Sequence, residues 1–336
     1  MTAPAPPRPP SPDEIALRAG LDFPRLLAPQ PSALFAERAL RLRELAAGHA
    51  LHDYLMLMAL ICEAQHALAQ DFPAVPLPTS EQADAAARAG RPLLDATCWP
   101  RDGAWRGAWR RIVARVLEKL PAADPDSPAR AHLHAIAAWD DDALEQQAGR
   151  LIAGIPLGLD MAAAPFVAAG LQLYWTILAA RTAAALGDPF GHRQGERTAR
   201  CPCCGSLPVA SVVRGGAPEG YRYLHCSLCN SQWHVVRVKC THCGSTSGIG
   251  YQALQALADA KPQPGQRPAI QAETCDACQH YLKILHQQQA PHLDPVADDL
   301  ASLTLDLLVA DAGYVRHGVN PFLLFGDDGG AAGAPR

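Results

Sequence analysis

The chain has 336 residues, of which 49% are hydrophobic and 18% are charged, so it is long enough and apolar enough to bury a substantial core. Its formal net charge of −4 argues against a protein whose main task is to coat nucleic acid. The first residues have neither the charged start nor the apolar core of a secretory signal, and polar residues interrupt or flank the most apolar segment, residues 161–180. We therefore expect a cytoplasmic protein without membrane insertion.

Helical signals dominate the first 190 residues. Residues 1–30 form a proline-rich segment with one short helix, predicted where Asp13 and Glu14 follow a serine cap. A long helical stretch over residues 32–70 is expected to break at Gly48. Further helices are predicted at residues 80–94, 103–120, 128–139, 141–152 and 163–186. Residues 31–190 are therefore predicted to be a helical domain.

The pattern changes after a polar linker over residues 187–200. Short β-rich runs at residues 209–213, 221–225 and 232–238 alternate with pairs of cysteines. A proline-rich insert, residues 261–267, precedes the fourth cysteine pair. The helical period returns at residues 294–312, where Val296, Leu300, Leu303, Leu307 and Leu308 are expected on one face.

These changes predict an α+β protein in which an all-helical domain is followed by small rubredoxin-like or zinc-ribbon-like β modules and a C-terminal helix. We use the term knuckle for a C-x-x-C turn whose two thiolates can face one metal ion. The expected units after the helical domain are a first four-cysteine knuckle module at 191–238 and a second at 239–290. A C-terminal helix and extension follow at 291–325, and then a disordered tail at 326–336.

Nine of the 11 cysteines lie between Cys201 and Cys278, and eight of them form four C-x-x-C pairs. Two intervening residues let the chain turn tightly, so that both thiolates face one ion and backbone N–H groups can bond the sulfurs. In a protein without a secretory signal, such a cluster indicates metal ligation rather than disulfides. Gly205 and Gly244, each after the second cysteine of a pair, suit the positive φ that such a turn often needs.

Two pairs make one tetrahedral site, so four pairs predict two ions per chain. We group the pairs in sequence order, which gives a first site of Cys201, Cys204, Cys226 and Cys229 and a second site of Cys240, Cys243, Cys275 and Cys278. A cross-braced arrangement, in which the first and third pairs share an ion, remains open. Four thiolates in tetrahedral geometry accept either iron or zinc, so the donor set does not decide the metal.

Other potential ligands lie near the pairs. Cys203, inside the first knuckle, is expected to be a spare and partly exposed thiol; the alternative is a reactive sulfur beside a metal. His225, His234 and His242 are expected beside the sites or at the surface, because every ligand position already has a cysteine.

Several segments resemble the formate dehydrogenase accessory protein family, FdhE. They are residues 220–230, 233–244, 272–278, 281–285, 295–303 and 318–323, with residues 53–55, 63–65 and 171–175 in the helical half. The resemblance covers about residues 30 to 325, and the insert at residues 261–267 departs from it. It implies a helical domain followed by two rubredoxin-like modules, each with one ion held by four cysteines, iron being preferred over zinc. It also implies a cytoplasmic role in making respiratory formate dehydrogenase active, by contact with its catalytic subunit before export.

The sequence contains no P-loop, catalytic triad or dinucleotide fingerprint, so we predict a maturation factor that binds the catalytic subunit rather than an enzyme. Residues 197–283 hold nine Lys or Arg and four Asp or Glu, a local charge of +5 that leaves −9 on the remainder. Arg214, Arg222 and Arg237 are therefore candidates for partner binding.

Three alternatives stay open. The first is a rubredoxin-like redox or sulfur-handling protein that acts on the same client. The second is a zinc-ribbon nucleic-acid-binding protein, although the acidic remainder and the lack of an aromatic RNA-binding motif disfavour it, and no nucleic-acid partner is expected. The third concerns only the basic face, which could complement the acidic helical domain of the same chain rather than a partner.

Overall fold

The computed structural model of the chain describes residues 24–120, 128–187, 189–190, 199–215, 220–254 and 268–323. The expected short helix near Asp13, the insert at 261–267 and the tail at 326–336 lie outside the described residues. Seven helices occupy the described part of the first 190 residues: α1 (Pro31–Ala46), α2 (His52–Gln70), α3 (Ser80–Arg88), α4 (Ala104–Lys119), α5 (Pro128–Ala137), α6 (Asp141–Ala153) and α7 (Ala164–Leu186).

The ends of these helices follow from local chemistry. The predicted break at Gly48 is confirmed, and this residue takes a φ of +71° between α1 and α2. Helix α3 begins with a capping box at Thr79 and ends at Arg88, six residues before the predicted end. Gly90, with a φ of +60°, turns the chain after α3 toward the first cysteine pair.

Helix α7 lies at the centre of the helical domain. Every residue from Ala164 to Ala179 is buried, as expected for a helix that is apolar on all sides. Helix α4 packs closely against it, because a Cβ added to Gly170 would lie 2.9 Å from the Cβ of Trp109. No helix within the described ranges has both the length and the apolarity that a membrane span requires.

The described strands form one sheet. They are β1 (Leu26–Leu27), β2 (Pro208–Val213), β3 (Arg222–Cys226), β4 (Gln232–Val235), β5 (Ile249–Gln252), β6 (Ile270–Cys275), β7 (His280–His286) and β8 (Val315–Arg316). Their order is β1-β4-β3-β2-β7-β6-β5, and β8 pairs with β7. Antiparallel pairing unites β2, β3 and β4 around the first two cysteine pairs and β5, β6 and β7 around the last two.

The parallel pairing of β2 with β7 joins these two groups of strands, in the register Ser211 with Ile284 and Val213 with His286. The two knuckle modules, expected from the sequence as separate units, are thus united by a pairing that no sequence signal predicts. Because the two central strands come from different modules, the metal centres sit on one continuous scaffold.

The C-terminal helical run is divided into two helices, α8 (Pro295–Ala301) and α9 (Leu303–Asp311), which meet at Ser302. The prediction of a single apolar face through this run is wrong. Leu307 and Leu308 are 56% and 53% exposed, and Leu305 and Val309 are buried instead. The break at Ser302 changes the helical register, so a period counted through it assigns the wrong residues to the core.

One hydrophobic core extends from the helical domain into the sheet. It contains side chains of α1, α2, α4 and α7, the cysteines of the first two pairs, and Val296 and Leu300 of α8. Two ion pairs join α1 to the C-terminal segment: Arg38 lies 3.1 Å from Asp294, and Arg41 lies 2.7 Å from Asp298. The core therefore crosses the position near residue 190 at which the sequence suggested a domain boundary.

Candidate metal centres

The first two cysteine pairs meet beside the β2–β3–β4 strands. The four sulfurs of Cys201, Cys204, Cys226 and Cys229 all lie within 4.8 Å of one another. The Sγ–Sγ distance is 3.5 Å from Cys201 to Cys229 and 3.4 Å from Cys204 to Cys226. A disulfide would place two sulfurs about 2.05 Å apart. Four sulfurs at about 2.3 Å from a central ion would be about 3.8 Å apart, so the group fits a tetrahedral ion.

The last two pairs meet in the same way between the third knuckle and the β6–β7 hairpin. The sulfurs of Cys240, Cys243, Cys275 and Cys278 lie within 4.8 Å of one another. The Sγ–Sγ distance is 3.7 Å both from Cys240 to Cys278 and from Cys243 to Cys275. The pairs therefore come together in sequence order and not in the cross-braced order. Each group offers four thiolates that could hold iron or zinc.

The four knuckles share a backbone feature. The residue after each second cysteine is left-handed, with φ of +78° at Gly205, +57° at Asn230, +79° at Gly244 and +55° at Gln279. The N–H groups of Gly205, Gly244 and Gln279 donate to the carbonyl of the first cysteine of their knuckle, at 2.8 to 2.9 Å. The two glycines could be recognised from the sequence, whereas the other two positions were missed, although Asn in particular tolerates this conformation.

Backbone N–H groups also reach the sulfurs. The N–H groups of Leu228 and Cys229 each lie 3.4 Å from the Sγ of Cys226, and the N–H of Cys243 lies 3.5 Å from the Sγ of Cys240. Such bonds stabilise the negative charge of a thiolate and orient its lone pairs toward a bound ion.

Thiol electrostatics differ within each group. Burial raises the pKa of Cys201 and of Cys226 well above the ordinary value. Burial also acts to raise the pKa of Cys229, but hydrogen bonds from Cys201, Cys203, Cys204 and Cys226 outweigh it and hold this pKa well below the ordinary value. In the first group, thiolate character is therefore concentrated on Cys229, and deprotonation of Cys201 and Cys226 would be coupled to the binding of an ion.

In the second group, a backbone hydrogen bond from Ser245 lowers the pKa of Cys243 to about 7. This thiol is half-buried, in contrast to the fully buried thiols of the first group.

The two groups differ sharply in exposure. Each cysteine of the first group is 0 to 1% exposed, whereas Cys243 and Cys278 of the second group are only half-buried. The helical domain covers the first group directly. The N–H groups of Leu94 and Ala96 donate to the carbonyl oxygens of Cys203 and Cys204 at 2.9 and 3.0 Å. The first centre is therefore part of the core, whereas the second has two buried cysteines, Cys240 and Cys275, and two thiols that are partly open to solvent.

Family models for the N-terminal, central and C-terminal domains of FdhE match residues 23–189, 200–237 and 238–323. The chain belongs to the FdhE family. The resemblance identified from the sequence is thereby confirmed.

Individual relatives agree with the family models. The FdhE protein of Escherichia coli strain K12 is 39% identical, and the FdhE homologue of Cronobacter sakazakii is 38% identical. Each alignment spans 305 residues, which is 91% of this chain and 93% of the relative. The crystal structure of the FdhE protein from Pseudomonas aeruginosa superposes with a TM-score of 0.73 at 35% identity, covering 90% of this chain and 99% of that one.

In this FdhE-family chain, Asn230 links the first centre to two helices. Its Oδ1 accepts a hydrogen bond from Arg38 of α1 at 2.9 Å and lies 3.1 Å from Nε2 of His225. Its Nδ2 donates to Oγ1 of Thr176 in α7 at 2.8 Å. Burial lowers the pKa of His225 to about 4, so its ring is neutral and supports Asn230 rather than acting as a charged group. No sequence signal pointed to these contacts, because the partners are far apart along the chain.

The expectation for the exposure of Cys203 is wrong. This residue is fully buried, and its thiol donates to Oγ of Ser231 at 3.4 Å. The same hydroxyl lies 3.3 Å from the Sγ of Cys229. Burial raises the pKa of Cys203 well above the ordinary value, which favours a neutral thiol beside the four-sulfur group.

A histidine cluster lies beside the second centre. His242 and His280 form a further set of possible ligands with Cys278, and His317 stands edge-on to His242. The rings of His242 and His280 are stacked, with centroids 3.8 Å apart and planes inclined by 10°. Ring nitrogens ligate a metal in the plane of the ring. Two parallel stacked rings do not converge on one ion, so we assign no third metal site here.

The three arginines proposed for partner binding have different environments. Arg237 is exposed, and Arg214 is half-buried and donates to Gln232 at 3.1 Å. Arg222 is 1% exposed and forms an ion pair with Glu273 at 2.7 Å. The assignment of Arg222 to a partner surface is therefore wrong, because its charge is neutralised inside the protein, where it joins β3 to β6.

Proposed function

We propose that this chain is an accessory protein that formate dehydrogenase requires for its activity, and that it binds the catalytic subunit of that enzyme in the cytoplasm before export. The observation that carries the proposal is family membership across residues 23–323, with both four-cysteine groups assembled. The identity of the partner, formate dehydrogenase, is inferred from the resemblance to the formate dehydrogenase accessory family. In this proposal the chain acts by binding and not by catalysis.

Two ions per chain are part of the same proposal, with Cys201, Cys204, Cys226 and Cys229 as ligands of one and Cys240, Cys243, Cys275 and Cys278 as ligands of the other. The observed sulfur separations of 3.4 to 3.7 Å support a tetrahedral ion of either kind. We propose iron, which the family resemblance favours, with zinc as the alternative.

Elemental analysis of protein purified without added metal tests this assignment. We expect two ions per folded chain and a red colour from ferric thiolate absorption. Folded protein with one ion or none would overturn the ligand assignment. Colourless protein that holds only zinc, from cells supplied with iron, would overturn the assignment of iron.

The turns that carry the cysteines would give the chain rigid loops for partner binding. Each ion would fix two turns whose left-handed residues are already in place, so the loops around the ions would need little ordering when a partner binds. An accessory protein gains affinity from such rigid loops, because less conformational entropy is lost on binding.

A clean deletion strain tests the function. Cells without the chain should make the formate dehydrogenase catalytic subunit but leave it inactive, and the parent chain should restore activity. The variant Cys226→Ser should fail to restore it, whereas the matched control Cys98→Ser, at an exposed cysteine outside both groups, should restore it fully. Full formate dehydrogenase activity in the deletion strain would refute the proposed function.

A further inference from the structure

The two centres have the same donor set but different surroundings. The first is enclosed by α1, α7 and the loop at residues 92–96, and the second keeps Cys243 and Cys278 half-buried at the edge of the sheet. A structural ion needs no opening to solvent. The half-buried thiols of Cys243 and Cys278 leave the second centre accessible to a partner, although Cys240 and Cys275 are buried.

A small group of exposed residues adjoins this centre. Arg237, Val238 and Lys239 are exposed and lead directly into the third knuckle, and Tyr251 of β5 is 44% exposed. The Cε of Lys239 lies 3.6 Å from the position of a Cβ on Gly244, so its side chain lies against the turn that carries Cys243. We call Arg237, Val238, Lys239, Tyr251 and Cys243 the open face.

A series of contacts through Glu273 and Arg222 connects Tyr251 with Lys239 of the open face. Tyr251 donates to Glu273 at 3.1 Å, Glu273 pairs with Arg222 at 2.7 Å, and Arg222 donates to the carbonyl oxygen of Lys239 at 3.3 Å. The face is therefore positioned by a buried ion pair and is not a loose loop.

The backbone of the open face is strained at its centre. Val238 has a φ of +54°, in the left-handed region that disfavours β-branched residues. Its side chain is 53% exposed, so the fold gains little from burying it. Strain of this kind persists where the surroundings impose it, and it is concentrated at functional sites.

The described solvent-exposed charges of the knuckle region, residues 199–283, are mostly positive. Among the described charged residues of 199–283, Arg222, Glu273 and Lys283 are buried. The remaining described charged residues in this range reach solvent. They are four cations, Arg200, Arg214, Arg237 and Lys239, and one carboxylate, Asp276. Arg237 and Lys239 are exposed and flank the exposed side chain of Val238. Such a surface complements an acidic segment that carries an apolar residue.

We propose that the open face is where this chain meets an acidic segment of the formate dehydrogenase catalytic subunit, so that the second ion lies at the contact while the first serves the core alone. This inference rests on the proposed function. The cations would attract the acidic segment, and Val238 and Tyr251 would offer apolar contact beside the knuckle.

Release of zinc to a coloured chelator from the zinc-loaded full chain tests the proposal. The free chain should lose its two ions in two phases, one ion in each, with the exposed centre at least tenfold faster. Saturation with the purified catalytic subunit should slow the fast phase at least tenfold and leave the slow phase unchanged. Release of both ions at one rate from the free chain, or an unprotected fast phase in the complex, would overturn the open face as the contact.

Charge reversal provides the second arm. The double variant Arg237→Glu/Lys239→Glu should bind the catalytic subunit at least tenfold more weakly, and the loss should shrink at high salt. The matched control Arg88→Glu/Arg91→Glu reverses two exposed charges at the end of α3 and should bind as the parent does. Equal weakening by both variants, or by neither, would refute the surface.

A third variant separates binding from folding. Val238→Gly suits the left-handed backbone, so it should raise the unfolding temperature while weakening binding about threefold or more. Unchanged binding by this variant would remove Val238 from the contact. Failure of the parent chain to bind the catalytic subunit at all would refute the proposed function itself, a result distinct from binding without protection of the fast ion.

Discussion

Replacement of Asn230 by alanine should weaken the attachment of the first metal centre to the helical domain. The side chain of Asn230 accepts from the buried guanidinium of Arg38 at 2.9 Å and donates to Thr176 at 2.8 Å. Its backbone has a φ of +57°, which asparagine tolerates better than alanine does. The substitution therefore removes these two buried hydrogen bonds, together with the contact between Oδ1 and Nε2 of His225, and adds backbone strain at the same position.

The expected cost can be summed from these parts. The hydrogen bond to a charged guanidinium is worth about 1.5 to 3 kcal/mol and the bond to the neutral hydroxyl of Thr176 about 1 kcal/mol. The left-handed backbone adds about 1 kcal/mol for alanine relative to asparagine. Asn230→Ala should therefore lower the free energy of unfolding by about 4 kcal/mol. Asn230→Gly, which restores the backbone freedom, should lose about 1 kcal/mol less.

Urea unfolding of the zinc-loaded chain, followed by near-ultraviolet circular dichroism, measures these differences. The matched control is Gln279→Ala, because Gln279 is left-handed at the same knuckle position but is exposed. This control should change the free energy of unfolding by no more than about 0.5 kcal/mol. An Asn230→Ala chain within about 1 kcal/mol of the parent, or equal losses for Asn230→Ala and Gln279→Ala, would refute this coupling between the centre and the helices.

Two further predictions concern the helical domain. Gly170→Ala should lower the free energy of unfolding by about 1 to 3 kcal/mol, because the new Cβ would lie 2.9 Å from Trp109. Gly149→Ala adds a Cβ with no atom within 4 Å, so it should raise the free energy of unfolding by about 0.5 to 1 kcal/mol. Thermal unfolding of both variants measures the sign of each change. Burial acts to raise the pKa of Glu145, but hydrogen bonds from Arg106 and its neighbours outweigh burial and lower this pKa below 4.5. A carboxylate with a lowered pKa stabilises the fold above pH 4.5 and loses that effect as the pH falls through the folded value. The stability difference between Glu145→Gln and the parent should therefore be largest near pH 7 and shrink below pH 4.5; a difference that stays constant with pH would contradict this.

The helices could be predicted because their signals are local. Apolar periods and the glycine at position 48 placed α1 and α2, and the all-round apolar pattern placed the buried helix α7. Strand β7 shows the opposite case. It contains Lys283 and His286, whose polar side chains suggest exposed positions, yet both are buried, and Lys283 forms an ion pair with Asp306 at 2.5 Å. Such a strand has no alternation of apolar and polar residues to detect.

The ligand cysteines could be predicted for the same reason, because the two members of each C-x-x-C pair are only three positions apart. The contacts that support these cysteines could not be predicted from the sequence. The partner of Arg222 is 51 positions away, and Asn230 is 192 positions from Arg38. The burial of Cys203 depends on the loop at Leu94, which no pattern near the cysteine reveals, so the prediction of a partly exposed thiol was wrong.

The distance along the chain between Arg38 and its carboxylate partner has a consequence for synthesis. Arg38 is fully buried, and its ion-pair partner Asp294 is made 256 residues later. During synthesis on the ribosome, the guanidinium of Arg38 in α1 therefore has no carboxylate partner until the C-terminal segment has been made. A buried cation without its partner costs about 3 to 5 kcal/mol. A stop codon placed just before residue 294 would thus destabilise the helical domain at the other end of the gene product, although every helix of that domain would already have been made.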